Sequence, residues 1–284
     1  MTKGILVFAY NNADIDYVKQ AAFLAGRAKE YLNLPVSIVT DEKSIGDRYK
    51  GWFDKIIISD IITASSKKKY YNGAEQSTVL EFKNDKRPFA YDLSPYDETL
   101  VIDADYFIMN DILDQVWDSD NDVMINCKYR DVSGRHKENI EYIDNFSIPM
   151  YWATVVYFKK SDFAENLFTL VSHIKYNYKY YYYLYNCSGN LFRNDFAFSM
   201  ALHILNGSVA FDVPSLPIEY LNNSFDLDDI YRVNSHNDII MYCADAERIT
   251  NHLLSRFKNV DIHIMNKKAI ARCINDLLAN GEKV

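Results

Sequence analysis

Residues 3–10 (KGILVFAY) form an almost unbroken apolar run that stops at the polar turn Asn11-Asn12-Ala13-Asp14. Residues 15–32 follow with Val18, Ala21, Ala22, Ala25 and Ala28 at helical spacing along one face, and further short apolar runs come at 36–40 and 55–59. Buried strands alternating with an amphipathic helix restrict the chain to an α/β fold with a mixed, mainly parallel sheet flanked by helices. The first strand-to-helix turn lacks G-x-G-x-x-G, so a dinucleotide site of the Rossmann kind is not expected there.

Another apolar run, Leu100-Val101-Ile102, ends in Asp103-Ala104-Asp105. Alternate residues of a strand share a face, which puts these carboxylates about 7 Å apart at Cα and pointing the same way. Like charges this close repel and lose hydration at a sheet end. A hard divalent cation relieves both penalties, and the carboxyl ends of internal strands are where open α/β sheets bind ligands. The spacing predicts a metal site that holds a phosphorylated ligand. Two solvated surface acids are the plain alternative.

The 284 residues suffice for one large domain or two small ones, and 49% hydrophobic with 25% charged residues permits a sizeable core. A net charge of -8 argues against a broad nucleic-acid-binding surface. Cys127, Cys187, Cys243 and Cys273 include no C-x-x-C pair, which suggests neither a zinc knuckle nor a disulfide framework and fits the reducing cytoplasm, a host's cytoplasm if the chain is phage-encoded. No signal peptide precedes the first strand, and no apolar run of roughly 18 residues offers a membrane span.

Between the motifs, residues 60–77 read as a polar loop whose Lys67-Lys68-Lys69 is a solvated triplet. Residues 82–93 bring Lys86 and Arg87 close before the central strand, where a helix could aim one cation at the acids. A short helix at 112–117, a strand at 122–127, an irregular loop at 128–150 and a strand at 154–159 come next. The amphipathic helix 162–175 runs on into 176–185, with seven tyrosines in ten residues. That stretch suits a sugar-stacking wall, a half-buried helix flank or a homo-oligomer contact. Asn194-Asp195 opens a helix over 196–205, one of the pair being its N-cap. A strand at 209–213, an acidic segment at 214–237 and a helix at 244–257 are expected. Then Val260, Ile262 and Ile264 alternate with Asp261, His263 and Met265, so His263 lies opposite the aliphatics. A last helix covers 269–278, closed by Asn280-Gly281.

In this order the parts resemble a GT-A glycosyltransferase, the Rossmann-like fold of nucleotide-diphospho-sugar transferases, in the style of glycosyltransferase family 8 and of glycosyltransferase-like proteins of tailed phages. The resemblance covers nearly all of 1–284 as a single domain. It implies a nucleotide-sugar-binding half, 1–127, and an acceptor-side half, 128–284, that carries a C-terminal His…Lys segment. It implies donor-binding roles for Tyr10, Asn11, Tyr17, Asp41 and Arg87, with Lys267 or Lys268 on the diphosphate. Asp103, Asp105 and His263 would hold Mn2+ (or Mg2+), and Asn194 and Asp195 would stand by the reacting sugar. The segment departs from the family's H-x-x-G-x-x-K-P-W: Asn266 takes the glycine position, Ala269 the lysine position, and no Pro-Trp follows. Trp152-Ala153-Thr154 stands where the family has Asn-Ser-Gly.

The activity implied is transfer of a sugar from a nucleotide-diphosphate donor, a UDP-sugar by family default, to a hydroxyl acceptor with retention. Glycan, protein, small molecule and a modified DNA base all offer such hydroxyls. Two other readings stand beside it: a silent GT-A scaffold that binds without turnover, and a D-x-D phosphohydrolase. The second is disfavoured by a motif lying past residue 100 and followed by Tyr106-Phe107.

Overall fold

The computed structural model describes residues 1–59, 66–73, 76–83, 86–132, 141–144, 148–187, 191–209, 212–235, 237–243 and 252–279. In chain order the elements are β1 (Lys3–Phe8), α1 (Tyr17–Tyr31), β2 (Val36–Thr40), α2 (Asp47–Lys50), β3 (Lys55–Ile58), β4 (Ser66–Tyr71), β5 (Ser77–Phe82), α3 (Ala90–Leu93), β6 (Glu98–Asp103), β7 (Tyr106–Phe107), β8 (Val123–Asn126), β9 (Tyr129–Asp131), β10 (Trp152–Lys159), α4 (Asp162–Tyr176), α5 (Tyr178–Leu184), α6 (Asn194–Leu205), β11 (Leu221–Ser224), β12 (Asp229–Ser235), β13 (Asp238–Cys243), β14 (Leu253–Lys258), β15 (Ile262–Ile264) and α7 (Lys267–Ala279). Tight 3-10 turns occupy Arg87–Phe89 and Ile112–Asp118.

The central sheet has six strands in the order β3-β2-β1-β6-β10-β8. Neighbours from β3 to β6 are parallel, while β10 runs antiparallel to both β6 and β8. This is the mixed, mainly parallel α/β sheet expected from the strand–helix alternation. From β1 the chain builds outward through β2 and β3, then returns to place β6 on the other side of β1. Such a reversal opens a crevice at the carboxyl ends of the two strands, where Phe8 lies beside Asp103.

Period-two alternation splits the core into two layers. Leu6, Val101, Val156 and Phe158 face one side and pack against Phe168 and Val171 of α4 and Phe198 and Ala201 of α6. Ile5, Val7, Leu100, Ile102 and Val155 face the other, where the small Val18, Ala21 and Ala25 side chains of α1 close over them. Asp16 caps α1, its carboxylate accepting from the Lys19 N–H.

Within β1, Gly4 carries the ring of Tyr96 directly on its Cα: an added Cβ would lie 2.4 Å from Tyr96 Cζ. Tyr96 is buried and its hydroxyl shares a 2.7 Å hydrogen bond with Ser37 Oγ, so the ring has no free direction. Gly4→Ala is expected to destabilise the protein by about 1–3 kcal/mol, seen as a lower Tm in calorimetry. An unchanged Tm would mean that the ring yields without cost.

A second sheet, β7-β15-β11-β9, leans on the end of the first. β15 pairs antiparallel with β7 and parallel with β11, so the C-terminal strand comes back beside the Asp103–Asp105 turn. A three-stranded sheet, β12-β13-β14, and the β4–β5 hairpin complete the chain's sheets among the described residues.

Several sequence expectations change. Residues 253–258 are strand β14, paired antiparallel to β13 from Asp238↔Lys258 to Cys243↔Leu253, and the rest of the expected helix, 244–251, lies outside the described residues. Neighbouring strands thus outweigh a local pattern that also suits a helix. Residues 66–71 are a strand and not a solvated loop, because β5 pairs along their whole length. At 209–213, Val213 belongs to no strand, and 210–211 lie outside the described residues, as does the expected Asn280-Gly281 stop. The helix expected through 162–185 breaks at Asn177, whose side chain donates to the His173 carbonyl at 2.9 Å. Tyr178, Tyr181, Tyr182 and Tyr185 then pack on the core, while Tyr176, Tyr180 and Tyr183 stay exposed. Asn194 and Asp195 sit inside the first turn of α6, with Arg193 at the N-cap.

Candidate active site

β6 ends at Asp103; Ala104 and Asp105 form the turn into β7. The two acids therefore do not share a strand as expected, yet the turn brings them together. One ligand atom each from Asp103, Asp105 and His263 lies within 4.8 Å of the others. His263 reaches the group because β15 sets it opposite Tyr106, while Ile262 and Ile264 point into the core. Asp261 fixes that strand: its carboxylate accepts from the N–H groups of Met109 at 2.7 Å and Asn110 at 3.2 Å, and from the Tyr106 hydroxyl at 3.4 Å. Burial pushes the Asp261 pKa up to about 6, against the pull of those two amides. Asn266 caps α7: its Oδ1 accepts from the Ala269 N–H at 2.9 Å and its Nδ2 donates to the Asp228 carbonyl at 2.8 Å.

The state of His263 follows from its neighbours. Burial brings its pKa down to about 4, so the imidazole is neutral near pH 7. Asn223 turns its amide nitrogen toward the Tyr129 hydroxyl, leaving its Oδ1 to accept from His263 Nδ1 at 2.6 Å. Nε2 then carries a lone pair and faces Asp105 Oδ2 at 3.0 Å. Two acceptors at that distance need a proton or a cation beside them; the Lys267 ammonium, ion-paired with Asp105, is one such cation, and a divalent ion would be another. Two carboxylates and one neutral imidazole are a donor set that suits a divalent ion such as Mn2+.

Cations surround the acids. The guanidinium of Arg87 is buried and ion-paired with Asp103, and the Lys267 ammonium is ion-paired with Asp105. The carboxylates are thus held by opposite charges: Arg87 is the cation aimed at the acids from the segment before β6, and Lys267, which the resemblance set on a diphosphate, lies on Asp105 itself. Burial and the nearby charge of Lys68 bring the Lys267 pKa down to about 7. Lys267, not Lys268, reaches the acids, because Lys267 is the first residue of α7; Lys268 makes no ion pair among the described residues.

The remaining expected residues are spread around this cluster. Asp195 accepts from the Ala153 N–H at 2.9 Å and from Arg193 at 2.9 Å, and its charge raises the proton affinity of His263. Asn194 is buried beside it. Tyr10 is buried, with the Lys86 ammonium 4.3 Å from its ring centre, so the ring braces a lysine instead of standing open. Asn11 builds the first turn, its Oδ1 accepting from the Val18 N–H at 3.0 Å and its Nδ2 donating to Asp16 at 3.0 Å. The Tyr17 hydroxyl donates to that of Tyr70 at 3.1 Å. Asp41 accepts from the Ser44 N–H at 2.8 Å and lies 3.5 Å from the Lys83 ammonium.

Two participants escaped the sequence reading. Asn223 belongs to no motif, and only the pairing of β11 with β15 brings it to His263. Lys68 had a usable signal: in Ser66–Tyr71 a period of two sets it on the face of the buried Tyr70, away from the exposed Lys67 and Lys69.

No protein-family model matches the chain, and no curated protein matches it. Among solved structures it is similar to the glycosyltransferase GlyE of Streptococcus pneumoniae TIGR4, at 14% identity over 76% of this chain and 45% of that one, with a TM-score of 0.41. It is similar to the galactosyltransferase LgtC in complex with donor and acceptor sugar analogues, at 14% identity over 71% of this chain and 70% of that one, with a TM-score of 0.44. Mouse xyloside xylosyltransferase 1 matches at 14% identity over 75% of this chain and 85% of its own, with a TM-score of 0.40. The chain spans less than half the length of GlyE. What this chain does has to be read from its own residues.

Proposed function

We propose that the chain is a metal-dependent GT-A glycosyltransferase that moves a sugar from a nucleotide-diphosphate donor, a UDP-sugar first among them, to a hydroxyl acceptor with retention. The observation that carries this is the facing pair of acceptors, the neutral His263 Nε2 and Asp105 Oδ2, with Asp103 within reach of both. Asp103, Asp105 and His263 would hold the ion, which when bound supplies Lewis acidity to a diphosphate leaving group. Arg87 and Lys267 offset the negative charge that grows on that group as the anomeric bond breaks. Asp195, fixed by the Ala153 amide and Arg193, orients the sugar from the N-terminal turn of α6. Asn11, Tyr17 and Asp41 shape the wall of the crevice at the ends of β1 and β2. Residues 1–127 would form the donor half and 128–284 the acceptor half, which also returns His263 and Lys267 to the donor side.

A thermal-shift panel tests this: Mn2+ or Mg2+, each with UDP, GDP, CDP and ADP, against EDTA. A ligand at 100 times its Kd adds about 2.7 kcal/mol of stability. The expected result is a rise that needs both a metal and one nucleotide. No rise with any pair would remove the donor-site reading. The ion pair of Lys267 with Asp105 favours a second reading, a binding scaffold whose metal position is contested by its own lysine. Binding without hydrolysis or transfer of a nucleotide-sugar on long incubation would select it.

A further inference from the structure

Lys68 belongs to a hairpin that bridges every side of the crevice. Its strand β4 pairs with β5, Lys68 opposite Leu80. Tyr70 of β4 receives the Tyr17 hydroxyl, and the Glu81 carbonyl of β5 receives Asn12 Nδ2 at 3.0 Å. Beyond β5, Lys83 meets Asp41. At the other end, the Gly73 N–H donates to the Asp226 carbonyl at 3.3 Å, and Asn72 Oδ1 accepts from Arg272 of α7 at 3.0 Å. One hairpin is thus pinned to the turn after β1, the turn after β2, the segment joining β11 to β12, and α7. These are the elements that frame Asp103, Asp105 and His263.

The inward position of this hairpin is cationic. Lys68 Nζ lies over the ring of Phe82 at 5.1 Å and over that of Tyr70 at 5.7 Å, which braces the side chain. It stands within electrostatic reach of Asp226, Asp103 and Asp195, with Arg193 opposing them. No carboxylate of the described residues forms an ion pair with it. The first acid in influence is Asp226, whose pKa its own burial raises and the charge of Lys68 lowers. The same electrostatic reach extends to His263 and Lys267. A partly buried ammonium with no ion-pair partner among the described residues, within electrostatic reach of Arg193 and Lys267, is stabilised when an anion joins it.

We propose that Lys68 grips the phosphate groups of the donor, so that the β4–β5 hairpin delivers a third cation, after Arg87 and Lys267, to the ligand held at Asp103, Asp105 and His263. The inference rests on the donor-site reading and adds a residue to it.

The test compares the full chain with Lys68→Met and Lys68→Arg, measuring Mn2+ affinity alone and then affinity for UDP, GDP, CDP, ADP and inorganic pyrophosphate in saturating Mn2+. Lys68→Met is expected to weaken diphosphate binding about tenfold or more. It should leave Mn2+ affinity unchanged or tighter, since a positive charge near the acids is gone. Lys68→Arg should recover most of the diphosphate affinity. Equal diphosphate affinity in the parent and Lys68→Met overturns the inference and leaves the site intact. A parallel fall in Mn2+ and diphosphate affinity assigns Lys68 to the frame alone and overturns it too. If the parent binds none of the five, the donor-site reading itself fails.

Discussion

Asp105→Asn is expected to abolish Mn2+-dependent nucleotide binding while the metal-free protein stays folded. In the parent, Asp105 Oδ2 faces the lone pair of His263 Nε2 at 3.0 Å and is ion-paired with Lys267. The substitution puts an N–H donor where an acceptor stood, so the imidazole gains a direct hydrogen bond. Lys267 loses its counter-charge, but its pKa of about 7 lets it lie neutral at small cost. The metal loses a charged ligand. Even indirect partners of metal ligands cost about 10–100-fold in affinity when removed, so a hundredfold loss is the least expected here. Calorimetric titration of Mn2+ with UDP, beside a melting curve without ligands, separates the effects. Full affinity in the variant would end the metal assignment, whatever the melting curve shows.

Asp261→Ala is the second large effect, and it acts on stability first. Its carboxylate is the acceptor for the Met109 and Asn110 amides, and all three groups lie where β15 meets the segment after β7. Alanine strands two backbone donors, one of them at a fully buried residue. The expected cost is about 2–4 kcal/mol, with a fall in Tm of several degrees. Asp261→Asn keeps one acceptor oxygen and should lose clearly less. Because Asp261 immediately precedes β15 and His263 lies two residues further on, nucleotide binding should weaken in Asp261→Ala and recover on cooling. Equal stability of Asp261→Ala and the parent would show that water replaces the carboxylate at no cost.

How much of this was legible in the sequence differs from residue to residue. The central sheet was, because apolar runs such as 3–10 and 100–102 have no other place to go. Asp103 was, since a charge at the end of a buried strand needs a reason, and the resemblance set Asp105 and His263 beside it, where their ligand atoms do gather within 4.8 Å. The partners of these groups were not. Asn223 and Asn266 are ordinary polar residues until β11 and α7 are placed, when the first turns out to hold His263 and the second to cap α7. Arg87 and Lys267 were named as cations, but their pairing with Asp103 and Asp105 depends on approach in space. Lys68 was dismissed because three lysines in a row look solvated. The strand beneath them, which alternates their directions, forms only when β5 pairs with it. Residues 253–258 failed for the same cause: β13 supplies hydrogen bonds that no local pattern announces.

The return of β15 and α7 to the ends of β6 and β7 has a consequence for how the protein breathes. His263 is 158 positions from Asp105 in sequence, and its strand is only three residues long. An opening of this strand and helix that left the six-stranded sheet whole would break the pairings with β7 and β11 and expose Ile262, Ile264 and Ile270, yet would still cost less than global unfolding. In the opened form Asp103 and Asp105 keep their places but His263 and Lys267 are gone. Any ligand that needs all four would bind only the closed form, and so would act as a latch on β15 and α7. Hydrogen exchange in residues 262–279 should then slow on ligand binding far more than exchange in β1 or β2. The same latch would make limited proteolysis near residue 260 a sensitive reporter of occupancy.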